Sequence, residues 1–197
     1  MKNVLIYRTD RIGDFLVCSS IYSSIKRNYN NCKIDIVCSN SNYNYVKSFD
    51  IFDKVFLFPE KFLDKIKFFF SLKTYDKILV LDGKKRSIYM SIFKKTDKKI
   101  IFTPSTFIKK IFSPFFDKSY FIDYKIPKIE LIIKCLNDLD CDFIEEDLTF
   151  LKKHENANSL IYKNNYSDYL LFNFDEKWLA NKYIKSYQNI EPTIEEL

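Results

Sequence analysis

The sequence has 197 residues, room for one complete α/β domain and part of another but hardly for two. Hydrophobic residues make up 47% and charged residues 29%, which excludes wholesale disorder and allows a sizeable buried core. The formal charge of +6 is not a nucleic-acid signature: Lys, Asn, Ile, Phe and Tyr are inflated together while Gly is 2 and Trp is 1, the skew of an AT-rich genome.

Val4–Tyr7 is a short apolar run expected to form the first strand, followed by the turn Arg8-Thr9-Asp10-Arg11-Ile12-Gly13. A helical pattern starts at Asp14, with Phe15, Cys18, Ile21, Tyr22 and Ile25 recurring at steps of three and four. Asn28 to Asn31 close it and Ile34–Cys38 forms a second strand, a β-α-β unit that favours a parallel pair. Tyr43–Phe49 suits a short helix, Lys54–Phe58 a third strand, and Glu60–Leu72 a helix opened by Pro59. Lys77–Leu81 is almost continuously apolar, as a strand covered on both faces requires. Arg86–Phe93 is expected to be helical and Lys99–Phe102 a fifth strand ending at Thr103-Pro104. Beyond it, Ile108–Phe116 reads as a helix, Tyr120–Tyr124 as a strand, Ile129–Leu139 as a helix and Asp147–Leu151 as a strand. This alternation predicts an α/β fold with a Rossmann-like, doubly wound parallel sheet.

The polar, Asn-rich stretch His154–Asp168 is the linker candidate, which divides the chain into residues 1–153, 154–168 and 169–197. The last part supplies an apolar strand, Tyr169–Phe174, and a helix, Trp178–Tyr187. Thr193-Ile194-Glu195-Glu196 then fits a capping box, yet Leu197 follows about one turn in. Only the start of a second domain is therefore expected, in a truncated chain.

Lys84-Lys85-Arg86, Lys94-Lys95, Lys98-Lys99 and Lys109-Lys110 scatter over the ends of expected elements. They read as solvated surface, with a face turned to anionic lipid or phosphate as the alternative. Cys18, Cys32, Cys38, Cys135 and Cys141 contain no CxxC pair and are odd in number, which argues against a disulfide framework. Met-Lys-Asn runs straight into the first strand, and no apolar stretch reaches the roughly 18 residues of a spanning helix. A cytoplasmic location is expected.

The two glycines, Gly13 and Gly83, each fall just beyond the C-terminal end of an expected strand, the sheet edge at which open α/β folds bind ligands. Arg8 to Phe15 is neither a GxGxxG fingerprint nor a P-loop, which removes most support for hydride transfer. It offers a carboxylate, Asp14, beside a glycine at a helix start. Asp14 is either an N-cap, worth ~1 kcal/mol, or a general base facing the crevice, worth about 10²–10⁴ in rate. A receiver-like phosphoacceptor built on Asp82 and Asp14 is a weaker alternative, because only Asp10 and Asp14 supply acids near the first strand. His154, the only histidine, stands without partners for a metal site or a Ser-His-Asp triad.

The opening VLIYRTDRIGDFLVCSSIYSSIKRNY, then KIDIVCS, DKVFLF and YDKILVLDG, resembles the first domain of family 9 glycosyltransferases, which include ADP-heptose:lipopolysaccharide heptosyltransferases. The resemblance runs from about Asn3 to Gly83 and loosely beyond. It implies the N-terminal, acceptor-side domain of a GT-B fold and an inverting transfer with no cofactor or metal. The donor would be a nucleotide sugar, ADP-heptose-like in class, and the acceptor a lipopolysaccharide core or lipid-linked glycan. Peripheral association with the cytoplasmic face of the inner membrane would accompany that role. Asp14 matches the family's base, and Arg8, Arg11, Gly13 and Gly83 would meet the acceptor, the arginines being surface salt bridges on the alternative view. The family's "K-x-W" loop, aligned on Trp178, places Glu176 at the lysine position, so Lys177 would have to meet donor phosphate from one residue along. A non-catalytic module that keeps only the acceptor-type domain is the competing function.

Overall fold

A computed structural model describes residues 1–123 and 125–149. The linker and second-domain expectations, 154–168 and 169–197, lie outside the described residues.

Among the described residues six strands form one sheet: β1 (Asn3–Tyr7), β2 (Lys33–Cys38), β3 (Lys54–Leu57), β4 (Lys77–Val80), β5 (Lys98–Thr103) and β6 (Lys118–Phe121). Every pairing is parallel and the order is β3-β2-β1-β4-β5-β6. The register sets Ile6 between Ile36 and Leu79, and Tyr7 between Val37 and Val80. The order reverses between β1 and β4, which creates the crevice at which doubly wound sheets bind ligands.

The helices are α1 (Ile12–Val17), α2 (Ser19–Asn28), α3 (Tyr43–Val46), α4 (Phe62–Ser71), α5 (Lys85–Ile92), α6 (Thr106–Phe112) and α7 (Lys128–Asp138). Strand side chains alternate between the sheet faces and build two cores. Val4, Ile6, Ile34, Ile36, Leu79 and Ile100 join Phe15, Tyr22, Val46 and Leu136 on one face, beneath α1, α2, α3 and α7. Leu5, Tyr7, Val37, Ile78, Val80 and Ile101 join Ile88 and Phe112 on the other, with Phe68 of α4 packed against them. Both faces are covered, as the apolar run at β4 requires. All five cysteines are free and buried, and act as small hydrophobes within these cores.

Pro59 does not open a helix, since α4 starts at Phe62 with Lys61 as N-cap, and two further elements differ in kind from expectation. The first helix is two helices, because Cys18 turns the backbone to φ −95, ψ 7 before α2 begins at Ser19. The segment 147–149, expected as strand, is part of a 3₁₀ helix, Glu145–Thr149. Its buried Asp147 accepts from Ser24 Oγ at 2.6 Å and Arg27 Nη2 at 2.8 Å, which fastens the segment to α2 rather than to a sheet edge.

Candidate functional site

The loops that leave β1, β2, β3 and β4 at their C-terminal ends enclose an open polar cleft of about 480 Å³. Thr9, Asp10 and Arg11 line it from the β1 loop, and Ser39, Asn40 and Ser41 from the β2 loop. Phe58, Pro59 and Glu60 follow β3, while Lys65 of α4 and Lys84 and Arg86 at the start of α5 supply cations. Four cations face two carboxylates here, so the cleft favours an anionic or hydroxyl-rich ligand.

The β1 loop is held in place by its neighbours. Thr9 N and Thr9 Oγ1 donate to Asp82 Oδ2 at 3.1 and 2.5 Å, and Ser87 Oγ donates to the same oxygen at 2.7 Å. Asp82 Oδ1 accepts from Lys84 N at 3.1 Å. Arg86 Nη2 donates to Thr9 O at 2.6 Å, with its guanidinium 5.3 Å from the centroid of the Phe58 ring. Asn42 Nδ2 donates to Arg8 O at 2.8 Å and joins the β2 loop to the assembly. A phosphoacceptor Asp82 is ruled out by this arrangement, because the carboxylate is buried and occupied by four hydrogen bonds.

Arg8 differs from its expected place on the surface. It is buried, its guanidinium donates to Leu81 O and Asp14 O, and it lies 3.2 Å from Asp10 Oδ1 and 3.7 Å from Asp14 Oδ1. Its donors bind the loop together rather than pointing to a ligand. Arg11, by contrast, is exposed at the cleft and caps α1 through its backbone. Burial pushes the Asp10 carboxyl up to about 6, against the attraction of Arg8 and with Asp14 and Asp82 adding to the rise.

Asp14 is the third residue of α1, not its N-cap; that position belongs to Arg11, and no side-chain cap bond forms. The N-cap reading is therefore corrected. The Asp14 side chain is 39% exposed and, among the described residues, makes only long ion pairs, 3.7 Å to Arg8 Nη2 and 3.7 Å to Lys128 Nζ of α7. It stands beside the β1 loop on the α7 side, outside the lining of the polar cleft.

The two glycines have different reasons to be glycine. Gly83 has φ +58, and a Cβ there would collide with Phe102 O and Pro104 Cδ. Gly13 is helical with nothing within 4 Å of a built Cβ, so only open space lies before it. Lys177 lies outside the described residues. Among the described residues Arg11 is the one predicted site residue in the cleft lining; Thr9, Asp10, Lys65, Lys84 and Arg86 are among those that sequence reasoning missed, and the signal available was the triplet Lys84-Lys85-Arg86 directly after Gly83. Among the described residues no cluster of His, Cys, Asp and Glu is arranged to hold a metal ion.

A parallel sheet in this order, with a cationic cleft at the point where the order reverses, defines a Rossmann-like α/β domain. Its solved structural neighbours are GT-B glycosyltransferases. A family 9 glycosyl transferase from Veillonella parvula aligns with TM-score 0.60 and 13% identity, over 85% of this chain and 50% of that one. The Escherichia coli ADP-heptose lipopolysaccharide heptosyltransferase II aligns with TM-score 0.55 and 15% identity, over 94% of this chain and 50% of that one. The E. coli heptosyltransferase WaaC, solved with ADP, aligns with TM-score 0.53 and 16% identity, over 73% of this chain and 49% of that one. The chain thus spans about half the length of the structures it matches. No protein-family model and no curated protein matches it.

Proposed function

We propose that this chain is the acceptor-side half of an inverting glycosyltransferase of the heptosyltransferase type. The observation that carries the proposal is the half-exposed Asp14 carboxylate beside the β1 loop of a fold shared with heptosyltransferases. Asp14 takes the proton from an acceptor hydroxyl, whose oxygen forms the new bond to the anomeric carbon from the face opposite the leaving group. The carbon–oxygen bond to the nucleoside diphosphate breaks, and the diphosphate departs with the bonding pair. The WaaC structures hold ADP and an ADP-heptose analogue, which supports an ADP-heptose-like donor; Lys177 is the residue proposed for donor phosphate. The acceptor is a phosphorylated lipopolysaccharide core or related glycan, its phosphates received by Arg11, Lys65, Lys84 and Arg86 in the polar cleft and its reacting hydroxyl reaching past the β1 loop to Asp14. No cofactor enters this chemistry, and it takes place at the cytoplasmic face of the inner membrane.

The place of Asp14 outside the lining of the polar cleft favours a second reading, a binding module that holds the acceptor without transferring to it. A transferase that works between two domains needs both to position its substrates. Calorimetric titration of the 197-residue chain with a phosphorylated core oligosaccharide should give saturable binding. A transfer assay with the nucleotide sugar, with and without a donor-binding domain, then separates the readings. Absence of acceptor binding defeats both; binding with no transfer under either condition leaves the module.

A further inference from the structure

Helix α4 packs onto the sheet by Phe68 and Leu72 beyond its end, and none of its ten residues is fully buried. The rest of its apolar side is turned outward: Phe62 is 73% exposed and Phe70 77%. Phe93, just after α5, is also 77% exposed. With Ile66, Phe69 and Tyr89 these side chains form an apolar groove of about 570 Å³ between α4 and α5. The groove is continuous with the polar cleft, since Phe58, Lys65 and Arg86 line both.

The charge around the groove is one-sided. Residues 60–71 and 84–95 carry eight lysines and arginines against Glu60 and Asp64, an excess of +6 that equals the formal charge of the whole chain. The basic clusters Lys84-Lys85-Arg86 and Lys94-Lys95, separate in sequence, flank the two ends of α5, and Lys61, Lys65 and Lys67 lie on and before α4. Lys94 Nζ sits 4.4 Å from the centroid of the Phe69 ring, so cation and aromatic share one surface. The rest of the sequence sums to zero, so these two segments carry the whole formal excess.

Exposed aromatics ringed by lysines are the composition of an interfacial membrane face, in which rings enter the headgroup boundary and cations meet anionic lipid. A protein partner would need an acidic rim and a fixed apolar plug. A bilayer needs only apolar area and positive charge, and the face supplies both. We propose that the α4–α5 face seats on an anionic lipid bilayer and so brings the polar cleft to the membrane surface. This deepens the proposed function by naming the face that meets the membrane, but the lipid contact rests on the surface alone and not on transfer.

The test uses the full 197-residue chain and sedimented vesicles, with neither donor nor acceptor present. Binding to phosphatidylcholine vesicles containing 30% phosphatidylglycerol, an amount chosen for roughly physiological surface charge, should exceed binding to pure phosphatidylcholine about tenfold and weaken with salt. The triple variant Phe62→Ser, Phe70→Ser, Phe93→Ser alters only side chains at least 73% exposed, so folding is preserved, and it should lose about tenfold in binding. A second variant, Lys61→Gln with Lys67→Gln and Lys95→Gln, spares the residues that line the cleft and should lose a similar factor. Equal binding to both vesicle types, or unaltered binding by both variants, overturns the proposal. So does a concentration-dependent dimer that the triple variant dissociates while vesicle binding is absent, which assigns the face to a second copy. Vesicle binding without glycosyl transfer leaves this proposal standing and counts against catalysis only.

Discussion

Thr9 Oγ1 donates to Asp82 Oδ2 at 2.5 Å, a bond between the ends of two neighbouring parallel strands at the switch point of the sheet. The same oxygen also accepts from Thr9 N and Ser87 Oγ, so one buried carboxylate joins β1, β4 and the start of α5. Asp82→Ala strips the acceptor from buried donors and should cost about 2–5 kcal/mol of stability. Thr9→Val removes one hydroxyl and should cost about 1 kcal/mol. Urea unfolding of both variants and of the double variant measures the coupling. Additive effects would show that the hydroxyl and the carboxylate do not act as a unit.

Asp10 should give the fold a pH dependence. Its carboxyl is pushed up to about 6 mainly by burial, with its side chain 14% exposed. Between about pH 4 and 6 the folded state therefore binds more protons here than the unfolded state does, and stability falls as pH rises through that window. The shift corresponds to roughly 3 kcal/mol. Asp10→Asn abolishes this contribution, so the variant should gain on the parent as pH is raised from 4 to 7. Urea midpoints of both proteins across that range decide it; a constant difference between them would mean that Asp10 does not titrate there.

The sheet was legible because its strands are short apolar runs separated by helical periodicity, and the observed strand limits shift by only a residue or two at most ends. The break at Cys18 was not legible, because the residues on either side continue one apolar face. The expected strand from Asp147 failed for a different reason: the buried Asp147 carboxylate pairs with Arg27 of α2, and that tertiary contact goes with a 3₁₀ turn rather than a strand. The site was half legible. Asp14 and the β1 loop follow from a local motif, whereas Lys65 and Arg86 reach the cleft from α4 and α5 and meet only through the crossover connections. Arg8 misled because arginine is a surface residue by default, and its burial depends on the carbonyls of Leu81, just after β4, and of Asp14 in α1.

The two glycines, alike in sequence position, should part in experiment. Gly83→Ala places a Cβ against Phe102 O in a left-handed backbone and should cost about 2 kcal/mol or more. Gly13→Ala meets nothing within 4 Å in a helix and should be neutral or stabilising by about 0.5–1 kcal/mol. Thermal unfolding compares them directly. If Gly13 serves ligand approach, Gly13→Ala also weakens acceptor binding although the fold is intact; unchanged binding would reduce Gly13 to a helical spacer.

Asp14 and Arg86 should separate chemistry from binding. Among the described residues the Asp14 side chain makes only ion pairs at 3.7 Å, so Asp14→Asn should leave stability within about 0.5 kcal/mol. In a transfer assay that supplies the donor-binding half, it should lower turnover by about 10²–10⁴ with acceptor affinity nearly unchanged. Arg86 donates to Thr9 O and Thr9 Oγ1 and lines the cleft, so Arg86→Gln should weaken acceptor binding about tenfold or more and reduce turnover chiefly through KM. Arg86→Lys should not restore it, because an ammonium cannot hold both Thr9 oxygens and an anion in one plane. The pair of KM and kcat values is the deciding measurement: a loss of acceptor affinity in Asp14→Asn equal to its loss of turnover would place Asp14 in binding and remove it as the base.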